Sequence, residues 1–327
     1  MKVKKRFKFL KVARNVFLIL LSIFLLWMAY HQLMTKLEQN KYPAIGQLVE
    51  VDGKKMHIYK QGEGEHTILL LSGLGTVAPS LDFEPLMNEL AKNNKVVVIE
   101  PFGYGWSDIT KKERTVDNIV EEIRTALKES NINGPYILMP HSISGIYSMY
   151  YVNQYPNEIE AIIGIDSTLP RATEYFQEAT PSLPGYLKLV APTGIARAAV
   201  NIIPYNFLPI ADEETYSEDN LKMTEKLSAW KAYNSNVIEE AKELSGNIKK
   251  TRDMSFPSKM PILMFTTKED KVNEEGKSNV TFYQDELRNQ DSSKLIPLDG
   301  HHYLHWTKSQ EMSKQINDFI KSYIEFE

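Results

Sequence analysis

The chain has 327 residues, 43% hydrophobic and 24% charged, the balance of a folded globular protein rather than a disordered one. It has no cysteine, which excludes a disulfide framework, a thiolate metal site and a cysteine nucleophile. The whole chain carries −4 and residues 1–15 carry +7 with no acid, so the remainder carries −11, a balance that argues against nucleic acid as a partner.

The basic start is followed by VFLILLSIFLLWMAY, residues 16–30, which holds no charge and one serine. As a helix this run is about 22 Å long, and its flanks extend it to the roughly 30 Å of a bilayer core. Trp27 and Tyr30 stand at its far end, where interfacial aromatics belong. The reading is a basic cytoplasmic segment over 1–15, a transmembrane helix over 16–34 and a polar linker over 35–46. Cations on the near side predict a single-pass protein of the cell membrane, with the N-terminus cytoplasmic and the body extracytoplasmic. A cleaved signal peptide would need a small-x-small site, and HQLMTKLEQ offers none.

The body opens with QLVEV and KMHIYKQ, alternating runs around Asp52-Gly53, which predict a hairpin. TILLLSG (67–73) reads as a strand buried on both faces. Helical and strand patterns then alternate. LDFEPLMNELAKN is helical, KVVVIE a strand, and TVDNIVEEIRTALKES a helix capped by Thr115. YILM is a strand, SGIYSMYYVNQY a helix and EAIIGID a strand. The first part of the core thus covers 47–167. Residues 168–257 are too long for a loop and hold several helical stretches rich in Tyr, Leu and Ile, so they predict a helical cap. The second part, 258–327, supplies the strands PILMFTT and KLIPL and a last amphipathic helix. Repeated βα units imply an α/β fold with a mostly parallel central sheet and helices on both faces.

Ser142 lies in YILMPHSISGIY, where a buried strand meets a helix. A nucleophile elbow needs such a turn, with small residues two positions to either side. Ser144 is small, whereas Pro140 lacks an N–H and fits only at a strand end. The turn LSGLG after the strand at 67 directs backbone N–H groups into the crevice. Leu74 and Ile143 are the candidate oxyanion donors. FTTKEDKV places Asp270, with Glu269 beside it, just past a strand; Asp166, closing EAIIGID, is the alternative acid. LDGHHYLHW carries His301, His302 and His305. A serine needs a base of histidine's pKa, and His301 and His302 both compete for that role.

Together these stretches resemble the α/β-hydrolase superfamily, in its capped group of lipase-, esterase- and proline-iminopeptidase-like enzymes, over about residues 47–325. LLLSGLG is similar to the family's oxyanion segment, with Ser72 where histidine is usual, and VVVIEPFGYGWSD to its strand-4 loop, with Glu100 for Asp. PHSISG matches the family's GHSxGG at Ser142, and TTKED its acid loop at Asp270, with Thr267 at the glycine position. GHHYLHW fits the family's GxGHFxHxE without a gap only with His302 as base. The order Ser142, Asp270, His302 is the one that topology imposes.

The resemblance implies a cap inserted between strands 6 and 7, a substrate site beneath it, and no metal or organic cofactor. It also implies a serine hydrolase acting on a small-molecule ester or amide, since epoxide hydrolases and haloalkane dehalogenases use aspartate at the elbow. The apolar cap near a bilayer favours an apolar or amphipathic acyl group. Two other functions share these motifs: a non-catalytic binding protein that reuses the fold, and an acyltransferase that delivers the acyl group to an alcohol.

Overall fold

The structure, a computed structural model, describes residues 2–268, 272 and 275–324, the side chains of 2–5 excepted. Helix α1 (Lys2–Lys41) is 40 residues long, about 60 Å at 1.5 Å per residue. Apolar side chains from Phe7 to Leu26 stand exposed along it. Among the described residues it alone is long and apolar enough to cross a membrane. The linker expected over 35–46 departs from this: the helix runs on to Lys41, leaving only 42–46 as connection. The reason is packing, because Glu38 in that stretch is buried against the body.

The body is built on one eight-stranded sheet in the order β1-β2-β4-β3-β5-β6-β7-β8. Strands β1 (Gln47–Val51) and β2 (Lys54–Gln61) form the expected hairpin, with Asp52 and Gly53 both at positive φ, as a tight two-residue turn requires. β2 pairs antiparallel with β4 (Lys95–Glu100). The others, β3 (Thr67–Leu71), β5 (Tyr136–Pro140), β6 (Ile159–Ile165), β7 (Ile262–Thr267) and β8 (Ser293–Leu298), run parallel. All five residues of β3 are buried, because alternate side chains feed two cores. Ile68 and Leu70 pack in one core, with Leu86 and Ile316. Leu69 and Leu71 pack in the other, with Val120 and Ile146. A parallel sheet covered on both faces reads as a continuous apolar run for this reason.

Short helices α2 (Pro79–Asp82) and α3 (Glu84–Leu90) follow β3, and α4 (Val116–Glu129) precedes β5. Helix α5 (Ser144–Gln154) follows β5. Between β6 and β7 the chain forms α6 (Ala172–Phe176), α7 (Val190–Thr193), α8 (Ile195–Ile202), α9 (Glu218–Lys231) and α10 (Ser235–Thr251). Helix α11 (Asn279–Glu286) precedes β8, and α12 (Leu304–Thr307) and α13 (Ser309–Tyr323) close the described fold. The helical insertion therefore leaves the sheet at the C-terminal end of β6 and rejoins it at the N-terminal end of β7, which runs parallel to β6.

Candidate active site

Ser142 sits between β5 and α5 with φ of 55°, a left-handed conformation that costs a non-glycine residue free energy. Several contacts hold it there. Its carbonyl accepts from Thr168 N at 2.7 Å and Gly145 N at 3.0 Å, and its N–H donates to Ile165 O at 3.3 Å. Ser144 Oγ donates to Ser72 O, and Ser167 Oγ donates to Pro140 O at 2.7 Å. Gly145 is required by space, since a Cβ there would lie 2.6 Å from Thr168 O. Pro140 is accommodated at the last position of β5, and His141 N makes the bond to Leu71 O at 2.8 Å.

The glycine turn after β3 lies against this elbow: a Cβ on Gly73 would be 3.1 Å from Ser142 Cβ. Among the described residues neither Leu74 N–H nor Ile143 N–H is donated to a protein acceptor. The turn is fixed from behind. Tyr104 Oη accepts from Gly75 N at 3.1 Å and donates to Glu240 Oε2 at 2.7 Å, and Tyr147 Oη donates to Glu240 Oε1 at 2.6 Å. Burial pushes the Glu240 carboxyl above its usual range, though the two phenols stabilise its charged form. Nothing in the sequence marks Glu240, which reaches this loop from α10 only through the folding of the cap.

His302 lies in the loop between β8 and α12. Its Nδ1 is 2.7 Å from Asp166 Oδ2. Asp166, at the end of β6, is buried and has φ of 41°. Its other oxygen accepts from Thr266 Oγ1 at 2.9 Å and Thr267 N at 3.4 Å. The carboxylate is thus pinned by β7 and faces one imidazole. The acid beside the histidine is the alternative, Asp166; Asp270 lies outside the described residues, as does Glu269. Accepting Nδ1–H leaves His302 Nε2 as the basic nitrogen. Among the described residues Ser142 Oγ makes no hydrogen bond, to His302 or to any other group. Catalytic hydrogen bonds of this kind commonly tighten only in the substrate complex.

The two nearby histidines do different work. His301 turns to the cap, where Nε2 lies 3.3 Å from Ile210 O, and its Nδ1 accepts from Tyr303 N at 3.1 Å. His305 is buried in α12, with Nε2 2.7 Å from Asp82 Oδ2. His141 packs on the His302 ring at 4.7 Å between centroids, and its Nε2 is 3.1 Å from His302 O. Burial, then His305 and His302, push the His141 imidazole well below its usual value, so it is neutral and donates that bond. His57, without assigned chemistry in the sequence, is fully buried with Nδ1 2.9 Å from Glu100 Oε2. Burial alone would raise Glu100, but His57 and bonds from Ser80 and Trp106 outweigh it and hold the carboxyl low.

The model of the alpha/beta hydrolase fold family matches residues 66–192. Over a longer span the chain is similar to YbdG of Bacillus subtilis, an uncharacterized protein, at 33% identity over 269 residues, 78% of each chain. The chain belongs to the α/β-hydrolase family. Within the family it is also similar to the serine hydrolase BPHL of Mus musculus, at 31% identity over 123 residues, 35% of this chain and 40% of that one. Its fold superimposes on epoxide hydrolase VrEH1 of Vigna radiata with a TM-score of 0.63 and 19% identity, covering 85% and 97% of the two chains.

In this α/β-hydrolase a cavity of about 460 Å³ lies between sheet and cap. Leu74, Gly75 and Thr76 line it from the glycine turn, Tyr303 and Trp306 from the histidine loop, and Phe207 from the cap. Ser142 and His302 do not line it. Its lining includes Leu74, which follows Gly73 of the turn packed on Ser142, and Tyr303, which follows His302. The lining is mostly apolar, as suits the hydrocarbon part of a ligand.

Proposed function

We propose that this chain is a membrane-anchored serine hydrolase that cleaves a carboxylic ester or amide through Ser142, His302 and Asp166. The hydrogen bond between His302 and the pinned carboxylate of Asp166, together with a strained Ser142 whose N–H donates to Ile165 O next to that aspartate, carries this reading. Asp166 holds the tautomer that leaves Nε2 free and stabilises the imidazolium when it forms. His302 Nε2 removes the Ser142 proton, and Oγ attacks the substrate carbonyl carbon. The oxyanion that develops is met by the N–H groups of Leu74 and Ile143. The imidazolium then gives its proton to the leaving alkoxide or amine, leaving an acyl-Ser142 ester. Water, deprotonated by His302, attacks that ester; the bond from the acyl carbon to Oγ breaks, the imidazolium returns its proton to Ser142 Oγ, and the carboxylic acid leaves.

The mouse relative's name, serine hydrolase, agrees with serine at the elbow. The anchor rests on the exposed apolar stretch of α1, on the cations before it, and on Trp27 and Tyr30, paired at 5.6 Å, after it. An N-terminus in the cytoplasm and a body outside the cell follow from those cations. The cavity's apolar lining supports an acyl chain as the bound part.

The test is a fluorophosphonate probe applied to the full chain in detergent, with peptide mapping of the adduct. Labelling at Ser142 in the wild type and none in Ser142→Ala is expected. Equal labelling of both proteins rejects the assignment.

A further inference from the structure

The cap and the anchor are joined by a buried clamp. Arg197 of α8 forms a bidentate pair with Glu38 of α1, at 2.9 and 2.7 Å, and donates to His31 Nδ1 and Thr35 Oγ1, each at 3.0 Å. Trp230 Nε1 donates to Glu38 Oε2 at 2.8 Å, and Gln32 Nε2 to Pro192 O at 3.1 Å. At Gly194 the backbones come so close that a Cβ would lie 2.7 Å from His31 Cγ and 2.9 Å from Trp27 Nε1. Contacts from Trp27 to Glu38 cover about 16 Å of helix. The body therefore does not swing on a tether. The cap is set at one height on α1, at the turn where the charge-free run ends.

The cap segment at that height is itself nearly free of charge. From Ala179 to Ala211 there is no acid, and the two cations are Lys188 and Arg197, the latter buried in the clamp. Yet this segment exposes Tyr186, Leu189, Ile195, Ile202, Tyr205 and Ile210, with Ile202 78%, Tyr205 84% and Ile210 72% exposed. Ile195 and Ile202, one heptad apart, share the face of α8 opposite buried Ala196, Arg197 and Val200. Soluble surfaces rarely leave so many large apolar side chains together. The same segment supplies Leu183, Asn206, Phe207, Leu208 and Pro209 to the cavity rim.

We propose that this cap face rests in the headgroup region of the membrane that α1 spans, so that acyl substrate enters the cavity from the bilayer. The inference rests on the anchored-hydrolase reading and adds the surface and the route. The occupant is a lipid surface because the segment that exposes these side chains is itself clamped, at Gly194 and Arg197, to the part of α1 where the charge-free run ends. Its exposed Ile, Leu and Tyr side chains supply the apolar area with which interfacial binding scales, and Lys188 is the one exposed cation among them.

The absence of cysteine allows a test by single-site labelling. Full-length Leu20→Cys, Ile202→Cys, Tyr205→Cys and Glu129→Cys proteins, each carrying an NBD fluorophore, are reconstituted in phosphatidylcholine–phosphatidylglycerol vesicles. A nitroxide near the top of the lipid acyl chain and aqueous iodide serve as quenchers. Glu129 ends α4 at the edge of the sheet away from the cap, so its probe is expected to respond to iodide alone. Probes at 20, 202 and 205 are expected to lose at least about half their emission to the nitroxide lipid. Quenching at 20 with 202 and 205 behaving like 129 overturns the inference and leaves the anchor standing. No lipid quenching at 20 overturns the anchor and the inference together. Fluorophosphonate labelling of the same samples reports separately on Ser142.

Discussion

The imidazole of His302 is bound at 2.7 Å by the carboxylate of Asp166, a residue at the end of the strand before the cap, not after the strand that follows it. That carboxylate is fixed by Thr266 and Thr267 of β7. Both strands flanking the insertion thus contribute to holding one histidine.

Asp166→Asn is expected to lower kcat/KM for a short ester by about 10³–10⁴, because an amide at that position favours the wrong imidazole tautomer. Asp270→Asn is expected to change it less than about threefold, a difference too small to reflect loss of a triad member. Steady-state kinetics on p-nitrophenyl esters checks both. The reverse ranking moves the acid to the loop after β7.

His301→Ala should keep kcat within about threefold of wild type, as removal of a non-reacting group does. The ring contacts the cap carbonyl of Ile210, so the change is expected in KM. A large fall in kcat would identify His301 as the base.

Gly145→Val places branched carbons where a Cβ alone would be 2.6 Å from Thr168 O. Backbone must shift, at a cost of about 1–3 kcal/mol, and the shift acts directly on Ser142, whose carbonyl binds Gly145 N and Thr168 N. Reduced denaturant stability with slower fluorophosphonate labelling is the expected pair of results.

Lys231, partly buried at the C-terminal end of α9, donates to Ser107 O at 2.5 Å. Burial pushes its amine down from 10.5 to about 8, though Glu100 and Asp108 act in the opposite direction. A depressed lysine penalises the folded state fully below pH 8. The penalty fades as pH rises toward 10.5, because in that window the unfolded chain binds more protons. Wild type should therefore gain about 1 kcal/mol between pH 7 and 9 relative to Lys231→Met. Denaturant titrations at the two pH values measure the difference.

Arg197→Ala leaves Glu38 buried without its cation, a loss of about 3–5 kcal/mol for a pair of this kind. A lower Tm in detergent is expected for Arg197→Ala. The Arg197→Met, Glu38→Leu pair should recover much of it, since apolar replacement of both partners removes the uncompensated charge.

The alternation of apolar runs and helical faces marked the strands, the two-sided burial of β3 and the insertion after β6, because periodicity records which side chains must leave water. Glycine and turn residues marked the Asp52-Gly53 hairpin and the Ser142 elbow, where backbone conformation is a local property. Other features were outside such patterns. Asp166 and Asp270 both follow apolar strands, and although the motif resemblance favours Asp270, the apolar pattern does not choose between them. The choice between them depends on which loop the fold brings to His302. Glu38 lies in the stretch expected as linker, and Arg197 and Glu240 in the expected cap, with no local pattern that marks them for burial. Each is buried by a partner more than ninety positions away, and a contact between distant segments leaves no periodic trace in either one.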